Sequence, residues 1–143
     1  MVPAGDAVRE VIPFLHVTDM ERSTRFYLDG LGFSVRNRWV KDGRLRWCLL
    51  ALGGAQLMLQ ELAPQDPARE LGTTLGAGVS LEFICTDAVA IYHEAKARGL
   101  QPSEPQVGNG LWVTGLRDPD GYRLEFESPT DAPEEAKLSD VSP

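Results

Sequence analysis

The run Val11-Ile12-Pro13-Phe14-Leu15-His16-Val17-Thr18-Asp19-Met20-Glu21-Arg22 decides the reading of the whole chain. Val11 to Thr18 is apolar and β-rich, and Asp19 ends it. Thr18-Asp19-Met20-Glu21 then has the Ser/Thr-x-x-Glu form in which a hydroxyl and a carboxylate satisfy the free N–H groups of a helix start. Met20, Thr24, Tyr27 and Leu31 follow at helical spacing, with Phe26 beside them, and Gly30 and Gly32 stop the helix. Phe33 to Lys41 reads as a strand, Asp42-Gly43 as a two-residue hairpin turn, and Arg44 to Leu52 as the next strand. Gly53-Gly54 is the next turn and Ala55 to Gln60 the last strand, so the order is β-α-β-β-β.

The pattern then restarts. Val79 to Cys85 reads as a strand, Asp87 caps a helix from Ala88 to Arg98, and Gly99 follows it. A short strand at Gln106-Val107, the Gly108-Asn109-Gly110 loop, a strand from Leu111 to Leu116, the turn Asp118-Pro119-Asp120-Gly121 and a strand from Tyr122 to Glu127 complete the second copy. Thr18-Asp19 recurs as Thr86-Asp87, 68 positions on, and the last strands, Gln56 to Glu61 and Arg123 to Ser128, correspond at 67. The reading is one α+β domain over residues 8–128, with βαβββ modules at about 10–62 and 78–128. Residues 63–77, rich in proline and glycine, read as the linker, and the acidic residues 129–143 as a disordered tail.

At 143 residues the chain can build a single sizeable core, and its 43% hydrophobic and 24% charged residues are those of an ordinary globular protein. No apolar run reaches the length of a membrane span. Met1 to Asp6 shows neither the basic flank nor the apolar stretch of a secretory signal, so a cytoplasmic location is expected. A net charge of −7 disfavours nucleic acid and anionic membrane as partners and suits a cationic or neutral small ligand. Cys48 and Cys85 sit in apolar, strand-like runs without metal-site spacing and read as reduced structural thiols. Gly108-Asn109-Gly110 is too short to cradle a phosphate.

Val17-Thr18-Asp19-Met20-Glu21-Arg22-Ser23, Phe26-Tyr27 and Leu31-Gly32-Phe33 resemble the first-module signature of the vicinal oxygen chelate superfamily. That superfamily includes glyoxalase I, fosfomycin resistance enzymes, extradiol dioxygenases and bleomycin resistance proteins. Asp118-Pro119-Asp120-Gly121-Tyr122-Arg123-Leu124-Glu125-Phe126 resembles its second-module ending, and the likeness covers about residues 10–128. It implies that each module curls into a half-barrel, the two forming a curved mixed sheet with a central cleft, the glyoxalase/bleomycin resistance-like fold. For antibiotic-binding members it implies a homodimer with pockets lined by both chains. The family's members range from metalloenzymes to pure binders, so the fold leaves the activity open.

The resemblance also implies four symmetric metal-ligand positions, one on the first and one on the last strand of each module. They fall on Ile12, Met58, Ser80 and Glu125. Isoleucine offers no donor, a thioether is soft and weak, and a neutral hydroxyl ligates poorly, so one carboxylate remains where a catalytic metal needs about three protein ligands. No metal or other cofactor is therefore expected. A displaced divalent site from His16, Glu82 and Glu125 is the alternative, and would make the protein a lyase or dioxygenase.

Strand alternation and the implied ligand positions put Ile12, Phe14, His16, Met58, Gln60, Ser80, Glu82 and Glu125 on the cleft face. Trp39, Trp47 and Trp112 are candidates to join them. A mixed apolar, aromatic and polar lining is that of a small-molecule pocket. His16 and Glu125 are the candidate acid/base groups for a metal-free isomerase or cyclase. The leading expectation is a metal-free homodimer that sequesters a hydrophobic, aromatic or cationic small molecule, as bleomycin-type resistance proteins do.

Overall fold

The computed structural model describes residues 3–141. Met1 and Val2, part of the start read for an export signal, and Ser142 and Pro143, part of the tail, lie outside the described residues. A short helix α1 (Ala4–Ala7) is followed by β1 (Phe14–Val17) and α2 (Met20–Thr24), which runs on into a wider π-helical turn, Arg25–Gly30. Strands β2 (Ser34–Lys41), β3 (Arg44–Leu52) and β4 (Ala55–Glu61) complete the first unit. After 3₁₀ turns at Pro67–Thr74 come β5 (Ser80–Ile84), α3 (Ala88–Ala97), β6 (Gln106–Gly108), β7 (Leu111–Arg117), β8 (Arg123–Pro129) and α4 (Leu138–Val141).

The two units have identical wiring. One sheet has the order β1-β4-β3-β2 and the other β5-β8-β7-β6. In each, the first strand lies parallel to the last and the other pairings are antiparallel. A parallel pair needs a crossover, which the helix after β1 and β5 supplies. This is the α+β duplication expected from the sequence.

Local differences have simple causes. β1 is shorter than the apolar run because Pro13 has no N–H to give a ladder; only its carbonyl joins in, accepting from the Met58 N–H at 2.8 Å. The cap of α2 is Asp19, not Thr18: the Asp19 carboxylate accepts from the Arg22 N–H at 3.1 Å. Asp87 does the same for α3, accepting from the Ala90 N–H at 2.9 Å. The tail read as disordered is held along β6 as far as it is described. The Val107 N–H donates to the Ala136 carbonyl at 2.8 Å and the Glu135 N–H returns to the Val107 carbonyl at 3.0 Å. The unpaired edge of β6 gives these backbone groups partners, which composition alone does not reveal.

The helix-side faces of both sheets share one core. Leu15, Val17, Leu50, Leu57 and Leu59 of the first unit and Leu116, Leu124 and Phe126 of the second are all buried in it with Tyr27. Each such side chain contributes about 1.5–3 kcal/mol. Phe83 links the halves, edge-on to Phe33 at 6.2 Å and stacked on Phe126 at 4.7 Å. Among the described residues the sheets themselves do not join, since no strand of one pairs with a strand of the other. With the helix-side faces packed together, the opposite faces point outward. Phe14, Trp39 and Ile84 on those faces are accordingly exposed. The expected cleft is thus open on both sides within a single chain. Cys48 is buried in the core and Cys85 half-buried, both as free thiols, and burial pushes Cys48 up to about 11.

Candidate functional site

The outward face of the first sheet is aromatic. In the parallel register Phe14 stands opposite Met58 and His16 opposite Gln60. The Phe14 and His16 rings are stacked, with centroids 4.7 Å apart and 4° between their planes. The two-residue turn at Gly53-Gly54 sets Trp47 opposite Gln60 and Leu49 opposite Met58, and Trp39 pairs in turn with Trp47. Trp39 and Trp47 therefore share the face of Gln60, a placement that the sequence left open. Leu49 and Asn37 join Met58 there, and the sequence reading missed them. Counting back from the tight turn would have found Leu49. The register shifts in β2 hide Asn37. Ile12 precedes β1 and is half-buried, two positions before Phe14.

The outward face of the second sheet is acidic. Glu82 stands opposite Glu125, and Ser80 opposite Arg123. The Ser80 hydroxyl is 2.7 Å from Glu82 Oε1 and 3.2 Å from Glu125 Oε1, and Arg123 lies 3.4 Å from Glu125 Oε2. Burial pushes the Glu125 carboxyl above its ordinary value, and the Glu82 hydrogen bond and charge push it further; Arg123 and Ser80 pull it back. Trp112 is not on this face. It stands opposite Ser128 and Val107, on the helix side with buried Thr114, because the turn after Arg117 has three residues rather than two between Asp118 and Tyr122.

The four positions implied for a metal do not fit one. Ile12, Met58 and Ser80 offer no anionic or imidazole donor, and the Ser80 hydroxyl is engaged by the two carboxylates. Among the described residues, ligand atoms of Glu82, Glu125 and Glu127 lie within 4.8 Å of one another. His16 is not part of this group, so the set His16, Glu82 and Glu125 is not assembled within one chain. Glu127 is one alternation beyond Glu125, and strand spacing puts it on the same face.

A buried seam joins the units at one corner. The Tyr27 hydroxyl donates to Asp118 Oδ2 at 2.7 Å, and the Tyr122 hydroxyl donates to the His16 carbonyl at 2.9 Å. Burial raises the Asp118 carboxyl to about 6, against the hydrogen bonds from Tyr27, Tyr122 and Asp120 that lower it. At the opposite corner lies a groove of about 940 Å³, bordered by Val11, Pro13, Gly53, Gly54 and the length of β5 to Thr86. It shares only Ser80 and Glu82 with the predicted site residues. No helix among the described residues is long and apolar enough to cross a membrane.

A family model described as the Glyoxalase/Bleomycin resistance protein/Dioxygenase superfamily matches residues 11–126. None of the curated proteins compared matches the chain. Among solved structures, it resembles a bleomycin-binding protein complexed with bleomycin (23% identity, 86% of this chain and 100% of that one, TM-score 0.65). It also resembles the bleomycin resistance determinant encoded on transposon Tn5 (23%, 85% and 98%, TM-score 0.66). TnmS3, an antibiotic-binding protein from Streptomyces sp. CB03234, is similar too (20%, 85% and 98%, TM-score 0.61). Likeness at this level speaks for the fold.

Proposed function

Since the chain belongs to the glyoxalase/bleomycin resistance protein/dioxygenase superfamily, we propose that it binds and sequesters a small aromatic or cationic molecule without turning it over. The observation that carries this reading is the pair of open, chemically different faces. One presents Phe14, His16, Trp39 and Trp47, and the other Glu82, Glu125 and Glu127. Aromatic rings supply flat apolar area to a planar ligand, and carboxylates neutralise a protonated amine. Neither face is roofed within one chain. A homodimer that sets the aromatic face of one protomer against the acidic face of its partner would close both pockets and cover Phe14, Trp39 and Ile84. The protein acts in the cytoplasm in this reading.

The test is a thermal-shift panel of aromatic and cationic antibiotics, bleomycin included, with the intact ligand recovered afterwards by mass spectrometry. A saturable shift with unchanged ligand supports sequestration. A panel without any shift, or recovery of a transformed ligand, overturns it. A second reading, a displaced-metal lyase or oxygenase, is favoured only by the three clustered carboxylates. Stoichiometric metal in the purified untagged protein, lost on Glu125→Ala, would establish that reading instead.

A further inference from the structure

We propose that Tyr122 and Asp120 are positioning residues for the aromatic face: their side chains hold β1 along its free edge, where a neighbouring strand would otherwise hold it. The proposal rests on the reading of that face as a ligand site.

β1 has four residues and pairs with β4 on one side only. In a parallel ladder, alternate residues turn their N–H and carbonyl groups to opposite sides. The Pro13 and Val17 carbonyls turn toward β4, where they accept from the Met58 and Leu62 N–H groups at 2.8 Å each. The His16 carbonyl and the Thr18 N–H therefore face the free edge. These two groups are the ones that the second unit takes. The Tyr122 hydroxyl donates to the His16 carbonyl at 2.9 Å, and the Thr18 N–H donates to Asp120 Oδ2 at 3.2 Å.

The holding side chains are themselves fixed. The Tyr122 N–H donates to Asp118 Oδ1 at 2.9 Å and the Asp118 N–H donates to the Tyr122 carbonyl at 2.8 Å. Asp118 is tied in turn to Tyr27, and both Asp120 and Tyr122 are buried. A rigid turn thus sets the peptide of His16, and the direction of that peptide sets the ring stacked on Phe14.

The duplication supplies an internal comparison. Asp118 and Tyr122 close a turn of three residues, whereas Leu52 and Ala55 close the matching turn of two, Gly53-Gly54. Ala55 therefore stands where Tyr122 stands in the other unit, and glycine where Asp120 stands. Neither can reach β5 with a polar group. The corresponding residues of the second unit, Ile84 of β5 and Thr86 just after it, line the 940 Å³ groove together with Gly53 and Gly54. Among the described residues, one ligand-bearing strand is stitched in place along its free edge and its counterpart is not. The aromatic face is thus preorganised, and the acidic face is free to adapt.

The experiment is ¹H–¹⁵N and aromatic NMR on the full chain, comparing wild type, Tyr122→Phe and Asp120→Asn. Tyr122→Phe removes a single hydroxyl and serves should Asp120→Asn fail to fold. The expected result is altered Phe14 and His16 ring signals in both variants and, in Asp120→Asn, Thr18 amide exchange about tenfold faster, the size of one hydrogen bond. Amides of Glu82 and Ile84 keep their wild-type behaviour. Unchanged Phe14 and His16 signals overturn the proposal. So does a change spread evenly to β5, which is the mark of a general loss of stability. These readouts need no ligand, so they decide the positioning role even if the antibiotic panel fails. Where bleomycin binds the wild type, Tyr122→Phe should weaken it about fivefold.

Discussion

Thr18 and Asp120 stand 102 positions apart in the chain, and the Thr18 hydroxyl donates to Asp120 Oδ1 across 2.6 Å. The Arg22 guanidinium adds its charge 3.6 Å from the same oxygen, while its other contact goes back to Thr18 Oγ1 at 3.0 Å. Asp120 itself is almost without solvent contact. A buried carboxylate is costly unless its lone pairs are used. Asp120 uses them on the first residues after β1, and this makes the start of α2 depend on a turn from the other half of the molecule.

Tyr27→Phe tests the neighbouring bond of the same seam. Tyr27 is fully buried and its hydroxyl is a short donor to Asp118. Losing it leaves a buried carboxylate one partner short, at a cost of about 1–3 kcal/mol. Thermal unfolding should show a midpoint lower by roughly 3–10 °C for a domain of this size.

Asp118 gives the stability a pH dependence with a definite sign. Its carboxyl titrates at about 6 in the folded protein against an ordinary 3.8, chiefly through burial. The folded state therefore keeps a proton that the unfolded state has released between these values. Its contribution is fully present below about pH 4, declines as pH rises through 6 and is level above, a total of about 3 kcal/mol. Asp118→Asn should flatten this part of the melting-temperature profile between pH 4 and 7.

Gly121 and Gly53, one in each of the two corresponding turns, have opposite surroundings. Both have positive φ, but a Cβ on Gly121 would meet the Thr73 carbonyl oxygen at 1.8 Å, while one on Gly53 meets nothing within 4 Å. Gly53→Ala should cost about 1–2 kcal/mol, the price of a left-handed alanine. Gly121→Ala should cost far more, because linker backbone must move. Urea unfolding of the two variants compares them directly.

Phe14→Ala separates affinity from stability. Phe14 is 41% exposed, so its removal should change the unfolding free energy by no more than about 0.5 kcal/mol. Loss of an aromatic anchor should nonetheless weaken a bound planar ligand about tenfold or more, measurable by calorimetric titration.

Glu125→Gln asks what the acidic face recognises. Cationic ligands of the panel should bind several-fold more weakly to the variant, and less weakly so as salt is raised. Neutral aromatic ligands should bind it as they bind the wild type. Equal weakening of both classes would remove the charge argument.

The duplicated strand and helix pattern was legible because each local signal agreed with the others. The Thr18-Asp19 and Thr86-Asp87 helix starts, glycine stops and two tight turns all marked element ends. Side-chain direction was legible only where a turn length was certain. Gly53-Gly54 fixes Trp47 and Leu49, but three turn residues after Asp118 move Trp112 to the other face. The contacts of Thr18 with Asp120 and of Tyr122 with His16 have no signal at short range. They arise from how one half packs on the other, and no periodicity carries that. The open faces belong to the same class of fact.

The outer strands of the two sheets are guarded by different means. β2 is exposed along its whole length but carries Arg36, Arg38 and Lys41, whose charges repel another sheet edge. β6, Gln106–Gly108, has no charge of its own, and the chain after Pro129 lies against it instead. That segment is therefore the second sheet's protection against aggregation. A chain shortened to Pro129 would expose a bare, uncharged edge.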